Sequence, residues 1–413
     1  MNELTELEVE DESARDAGSA PADNTIELVP RFKDQGYAAD LVSRRRQWLE
    51  EQTNCRLDHV GACSIPSERM RGNIENPIGA SQVPLGVAGP LLINGEHAQG
   101  TFYVPLATTE GVLVRSYERG MVTLTRAGGV ASRLALNENR ICPVFVFEDV
   151  VEAQEFTQFI KDNLAVLRAE AEATTCHGKL IDIDCHQIGR EVIANFRYFT
   201  GDAHGMNMIA KATDQACKWI TKHSRTRHFY SLSGYSSEKR ASGALLSGGK
   251  GKQVTAGALI PRHLVRTHLH TTPEQICDMW HRTMIAQLSA NVVGYNGQFA
   301  NGLAAMFIAY GQDVANVVNS SVGITDFEVT DRGDLYASVT LPSLTVATVG
   351  GGTALGTARE CLEMLGCAGA GQAPKLAEIV AATLLAGELS MGAAIASGEY
   401  VAAHETYGRN RPD

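Results

Sequence analysis

What this sequence lacks narrows its class first. No stretch of 18 residues is free of charged and polar interruption, so a membrane-spanning helix is not expected. The N-terminus carries neither the basic region nor the apolar segment of a secretion signal, which predicts a cytoplasmic protein. The nine Cys are odd in number and scattered, which argues against a disulfide framework and for reduced thiols. Cys176-His177 and Cys185-His186 match no structural zinc spacing, so no metal is expected. There is no GxGxxG, no internal repeat and no basic excess. The net charge of -11 gathers in residues 1–24, rich in Asp and Glu against the single base Arg15, and a mildly acidic body argues against a nucleic-acid surface.

What is present suits a large enzyme. At 413 residues the chain is long for one core, and apolar residues make up 44% of it. Glycine, with 40 copies, exceeds its usual share of about 7% and favours tight turns and close backbone approach to a ligand. Residues 1–24 read as a disordered acidic tail and 25–74 as a small helical region with a helix near 37–52, whose Arg44-Arg45-Arg46 run reads as a solvated face. The three Pro and three Gly of 75–90 exclude a long helix there. Residues 108–136 read as a buried helix beginning at Thr108-Thr109-Glu110, with an acid in its first turn. Between 141 and 231 the pattern is β-α-β-β-α-β, a ferredoxin-like unit inserted into an α+β domain built from 75–140 and 241–413. Strands and Ala-rich helices alternate beyond it, over 254–260, 284–311, 315–348 and a closing helix at 374–404.

Four ionisable residues, Glu110, Lys239, Asp313 and His404, sit among Gly, Ala, Ser and apolar neighbours, where an unpaired charge shifts its pKa or finds a partner. Lys239, in a loop spanning 232–240, has neighbours of both signs in Glu238 and Arg240, so a partner must come from elsewhere, and Asp313 is the candidate. For each of the four a structural ion pair, cap or exposed position is the competing reading. The turn Gly201-Asp202-Ala203-His204-Gly205-Met206-Asn207 leads into a helix N-terminus and suits a pyrophosphate, or serves only as a turn. Gly350-Gly351-Gly352-Thr353 stacks glycines between strand and helix with the same two readings.

In their order, ENPIG (75–79), VPLGVAGPL (83–91), PLATTEG (105–111), GDAHGMNM (201–208), SSEKR (236–240), GQD (311–313), TVGGGT (348–353), LAGELS (385–390) and the terminal His404 resemble 3-hydroxy-3-methylglutaryl-CoA reductases from about residue 75 to 410. Met206 and GKGKQVTAGALIP (249–261) are similar to the class I enzymes, without the membrane anchor of eukaryotic members. The resemblance implies two hydride transfers from a nicotinamide cofactor to an acyl-CoA thioester. It implies Lys239 as oxyanion stabiliser, Asp313 as its partner, His404 as proton donor to the CoA thiolate and Glu110 as proton donor to the aldehyde, protonated at a dry helix terminus. Asn301 would orient Glu110. Arg140, Ser233 and Arg240 would bind the acyl carboxylate, and Ser116 and Arg119 would contact CoA. Asp202, His204, Gly205, Met206, Asn207, Gly350, Gly351, Gly352, Thr353 and Arg409 would serve the cofactor, expected to be NADPH with NADH the alternative. A homodimer is implied, with sites between subunits to which Glu75, Asn76 and the Lys239 loop contribute across the interface.

Departures from the family pattern bear on substrate and cofactor. The usual Asp-Lys-Lys-Pro is Glu238-Lys239-Arg240-Ala241; His204 replaces a Met, Gln298 a His and Glu118 an Asn; and Cys176 stands about where an Arg is found in animal members. Asn410 replaces their phosphorylatable Ser. Two alternatives follow: a reductase of a related acyl thioester, and a CoA-binding relative without turnover.

Overall fold

The computed structural model describes residues 29–32 and 36–407. The acidic tail and Arg409 lie outside the described residues. The helix Ala39–Thr53 is close to its expected place, but of the arginine run only Arg44 is exposed. Arg45 is buried, and its guanidinium donates to the Pro77 carbonyl at 2.7 Å and the Pro30 carbonyl at 3.0 Å. Arg46 donates to the Ile78 carbonyl at 3.0 Å. The two residues pin the 75–79 segment around Pro77, whose carbonyls no ladder satisfies.

Strands β1 (Leu85–Gly95) and β2 (Gln99–Ala107) form an antiparallel hairpin. The helix Leu113–Arg126 follows, and then β3 (Val130–Ile141). The expected helix over 108–136 is therefore short at both ends. Its C-terminal part alternates as V-A-S-R-L after two positive-φ glycines, Gly128 and Gly129, and period two makes it a strand. The start of β3 lies parallel to the end of β1, and its last three residues pair with a different sheet.

That second sheet belongs to the inserted unit. β4 (Val144–Val146) leads to the helix Val150–Asp162, capped by the Asp149 carboxylate. The expected single helix breaks at Asn163 and resumes over Leu164–Glu172. β5 (Lys179–Ile188), β6 (Glu191–Phe199), the helix Met206–His223 and β7 (His228–Tyr230) complete the β-α-β-β-α-β order read from sequence. The strands lie antiparallel in the order β7-β4-β6-β5. Phe145, Phe156, Phe196 and Ile209 centre a hydrophobic core separate from that of the larger domain.

Beyond the insertion, β8 (Gly251–Ile260) pairs with β3 and with β10 (Leu335–Leu344), and β9 (Ile324–Val329) forms the edge. The expected helical run 284–311 is two helices, Pro273–Ser289 and Phe299–Ala309, parted where Asn291 and Gly294 take positive φ. The helix Ala373–Ser397, about 37 Å long, threads the core. It is the one described helix long and apolar enough to cross a bilayer, but 83% of its most apolar window is buried inside the protein. The closing helix ends at Gly398 in a left-handed cap, and a separate helix covers Tyr400–Tyr407.

Candidate active site

Lys239 and Asp313 meet at 2.7 Å between Nζ and Oδ2, both about half exposed. They come from unrelated elements. Asp313 follows the helix Phe299–Ala309 and caps the next turn by accepting from the Ala315 amide at 3.1 Å. Lys239 sits in a loop where Ser237 and Lys239 both have positive φ, at 57° and 55°. The partner of Lys239 is in its own chain.

Glu110 is not in a helical first turn. It lies in the loop between β2 and the helix Leu113–Arg126 and is exposed in the single chain, so the expected dry helix terminus is absent. The Asn301 side chain donates to it at 3.5 Å. Both line a cavity of about 420 Å3 together with Ser116, Arg119, Gln298 and Glu399. Arg119 donates to the Ser390 carbonyl at 2.6 Å and faces Glu399 at 3.6 Å, while the Ser116 hydroxyl donates to that of Ser390 at 3.1 Å. Burial pulls the Arg119 pKa down, opposed by Glu399. Ala402 and Thr406 line the same cavity, so the Tyr400–Tyr407 helix, which carries His404, lies over it. The His404 side chain is outside the described residues.

The two pairs stand at opposite ends of the helix Phe299–Ala309, whose rise from Asn301 to Ala309 is about 12 Å.

The glycine loops gather at the Lys239–Asp313 end. Gly205, at φ 78°, starts the helix Met206–His223 with no side-chain cap, leaving first-turn amides open to an anion. The Asp202 carbonyl accepts from the Thr348 amide at 2.9 Å, which joins this turn to the 348–353 loop. Gln312 clamps Ala347 in both directions, accepting from its amide at 2.7 Å and donating to its carbonyl at 3.0 Å. A Cβ on Gly352 would stand 2.7 Å from the Gly311 carbonyl oxygen, whereas one on Gly350 or Gly351 meets nothing within 4 Å. Gly350 and Gly351 therefore border open space, and Thr353 is buried, its hydroxyl donating to the Gly350 carbonyl at 2.7 Å.

Two expected cofactor residues are engaged elsewhere. The Asp202 carboxylate accepts from the Gly371 amide at 2.7 Å and the Ala373 amide at 3.0 Å, fixing the start of the core helix. The His204 ring turns inward, with Nε2 3.4 Å from Glu238. Of the expected acyl-carboxylate residues, Arg140 is buried with Nη2 unpartnered. The exposed Ser233 donates to the Cys142 carbonyl at 2.7 Å, and Arg240 to the Glu238 carbonyl at 3.1 Å. Glu75 and Asn76 are exposed and do not line the cavity beside Glu110.

Sequence reasoning passed over Lys250, fully buried and paired with Glu238, and Glu388, whose carboxylate accepts from the amides of Gly297 and Gln298 at 2.7 Å each. Both lay inside quoted motifs, GKGK and LAGELS. An acid or base in an apolar run was the available signal.

A family profile described as hydroxymethylglutaryl-coenzyme A reductase matches residues 41–409. The 3-hydroxy-3-methylglutaryl-coenzyme A reductase of Methanothermobacter thermautotrophicus is 44% identical over 90% of this chain and 94% of its own. That of Pyrococcus abyssi is 43% identical over 88% and 92%. A rice enzyme of the same name is 36% identical, covering 94% of this chain and 73% of its own. A class II enzyme from Streptococcus pneumoniae, solved bound to NADPH in open conformations, shares the fold at a TM-score of 0.65 and 19% identity, over 86% of this chain and 96% of that one.

Proposed function

The chain belongs to the hydroxymethylglutaryl-coenzyme A reductase family, and from that premise we propose that it reduces the thioester of 3-hydroxy-3-methylglutaryl-CoA to mevalonate and free CoA. The observation that carries this reading is the Lys239–Asp313 pair at 2.7 Å, tied through Gln312 to the glycine loop. A cation held by a carboxylate beside an open, amide-rich loop is what a carbonyl needs when its oxygen gains negative charge next to a dinucleotide.

The loops fit a nicotinamide dinucleotide: open first-turn amides at 206–208 and glycines at 350 and 351 facing open space leave room for a pyrophosphate. The 141–231 unit is proposed as a ferredoxin-like cofactor domain with NADPH preferred, a reading supported by the pneumococcal enzyme of the same fold having been solved bound to NADPH. Such a cofactor, when bound, would supply one hydride at each of the two reductions. Lys239 donates to the developing oxyanion, and Asp313 holds its ammonium in place. His404, on the helix over the cavity, protonates the departing thiolate, and Glu110, oriented by Asn301, protonates the aldehyde oxygen. The unpartnered Nη2 of buried Arg140 suits the substrate's free carboxylate, because a buried guanidinium nitrogen without an acceptor is costly. Ser116 and Arg119, in the cavity beside Glu110, are placed for CoA.

The same reading calls for a dimer in the cytoplasm. Glu110 and Lys239 serve one reaction, yet their pairs lie at opposite ends of one helix, so a second copy would complete each site. Reduction of a related acyl thioester is the second reading, favoured by Arg240 standing in the exposed loop. Nicotinamide oxidation by the purified protein tests both: turnover with 3-hydroxy-3-methylglutaryl-CoA supports the first, and turnover only with another acyl-CoA supports the second. CoA binding without oxidation of either nicotinamide would leave a non-catalytic relative.

A further inference from the structure

Glu238, next to the reacting amine in sequence, turns its side chain away from it. Its carboxylate is ion-paired with Lys250, whose side chain is fully buried, and lies 3.4 Å from Nε2 of His204. Asn316 donates to it at 2.8 Å. Each partner reaches into a different part of the site. His204 belongs to the 201–207 turn, whose backbone is tied in by Asn139 donating to the His204 carbonyl at 2.7 Å. Lys250 also donates to the Arg140 carbonyl at 3.3 Å and touches the Met206 sulfur at 3.3 Å. Asn316 donates to the Asn319 side-chain oxygen at 2.8 Å, which in turn accepts from the Lys239 amide at 3.4 Å.

Something has to hold this loop. Ser237 and Lys239, neither of them glycine, both take positive φ, which costs roughly 1–2 kcal/mol per residue. Strain of this kind persists only where the surroundings over-determine it. The one strongly anchored side chain between the two strained residues is that of Glu238. Burial alone would raise its pKa, but His204, Lys250 and Asn316 outweigh burial and hold it well below the usual carboxylate range, so the anchor is charged.

We propose that Glu238 is a positioning residue, whose carboxylate, gripped by Lys250, His204 and Asn316, locks the Lys239 loop to the 201–207 turn and so fixes the reacting amine relative to the nucleotide loop. The placement rests on reading Lys239 as the reducing-site cation. It makes His204 part of the lock rather than a direct cofactor contact.

Removing one half of a buried ion pair leaves an uncompensated charge, whereas removing both halves together is often nearly neutral. This gives a test with internal controls. Glu238→Gln should lower kcat by about 10²-fold, the scale of a misplacement near one ångström, with the KM for acyl-CoA moving less than about threefold. The double variant Glu238→Gln/Lys250→Met, which removes the stranded ammonium without restoring the carboxylate anchor, should regain stability but less than about threefold of the lost kcat. A second readout needs no turnover: acetic anhydride labelling of Lys239 in the free protein, followed by mass spectrometry. Its rate should change several-fold in Glu238→Gln, in the double variant and in His204→Met, and return toward wild type in His204→Gln, which keeps a donor.

Labelling that follows this order in a protein without reductase activity would sustain the lock while removing the proposed function. Unchanged Lys239 labelling in both His204→Met and Glu238→Gln overturns the lock even in an active enzyme. So does a double variant restored to nearly wild-type kcat, which would assign the loss to the stranded Lys250 charge, or a loss expressed mainly in KM. Should Glu238→Gln not fold, the two His204 variants decide alone, since they leave the Glu238–Lys250 pair intact.

Discussion

Two carboxylates withdrawn from water, Glu388 in the core helix and Glu238 in the lysine loop, answer burial in opposite ways. Burial is the largest influence on each and pushes both upward. Around Glu388 the partners are neutral dipoles, two backbone amides and the Thr325 hydroxyl at 2.7 Å, and its pKa stays raised. Around Glu238 stand a buried ammonium, an imidazole and an amide, and its pKa falls well below the ordinary range. Full charges reverse the desolvation penalty where dipoles only reduce it. A charge in an apolar stretch therefore does not by itself mark chemistry. Glu388 meets that description better than Asp313 does, yet its carboxylate is taken up by the chain, whereas Lys239 and Asp313 remain about half exposed, where a substrate can reach them.

If the exposed pair is the chemistry and the buried helix the scaffold, the largest effect belongs to the former. Lys239→Ala should lower kcat by about 10²–10³-fold, the loss typical of a removed oxyanion donor, with an unchanged melting temperature. Retention of more than a tenth of the activity would break the contrast. His404→Gln should lower thioester reduction by about 10²-fold while mevaldehyde reduction, which releases no thiolate, stays within about threefold. Equal loss on the two substrates would take His404 out of the proton-donor role.

On the scaffold side, Glu388→Ala strands two amides and a hydroxyl and should cost about 3 kcal/mol in chemical denaturation. A smaller effect follows from the titration of Glu388. Because its folded pKa is raised, the folded state holds the proton more tightly. Stability from that proton is present below the ordinary value of 4.5 and is lost as pH rises through the raised folded value. The melting temperature of Glu388→Gln relative to wild type should therefore climb across that window, and a flat difference would mean that Glu388 is ionised in the fold. The smallest effect concerns cofactor choice: kcat/KM should favour NADPH over NADH, a preference that a basic group near the ribose would set. Lys179, Lys211 and Arg190 are the candidates read from the sequence of the inserted unit; Lys179 is paired with Glu172 at 2.9 Å, so the exposed Lys211 and Arg190 are the residues to substitute. A higher value for NADH would reverse the assignment.

Much of the layout was legible before any coordinates. Alternation and turn residues over 144–230 placed the inserted unit strand by strand, because a half-buried sheet imposes period two on its residues. Asp313 was picked out as the partner of Lys239 by the need for a counter-charge, and the two meet. The misreadings share a cause. Residues 130–136 read as helix because Ala and Leu suit either state, and only pairing to β1 and β8 settles them as strand. Arg45 looked solvated because burying a guanidinium requires carbonyls that come from residues 15 and 32 positions away.

The sequence by itself determined most of the order of elements, the glycine turns and the ionisable residues proposed to carry the chemistry, since these depend on local sterics and on side-chain type. Tertiary structure alone decided which charges became scaffold and which stayed available. That choice depends on partners brought from distant parts of the chain: Lys250 and His204 to Glu238, the 297–298 amides to Glu388, the 371–373 amides to Asp202. A charge's environment is a property of three-dimensional packing, which local sequence spacing does not encode.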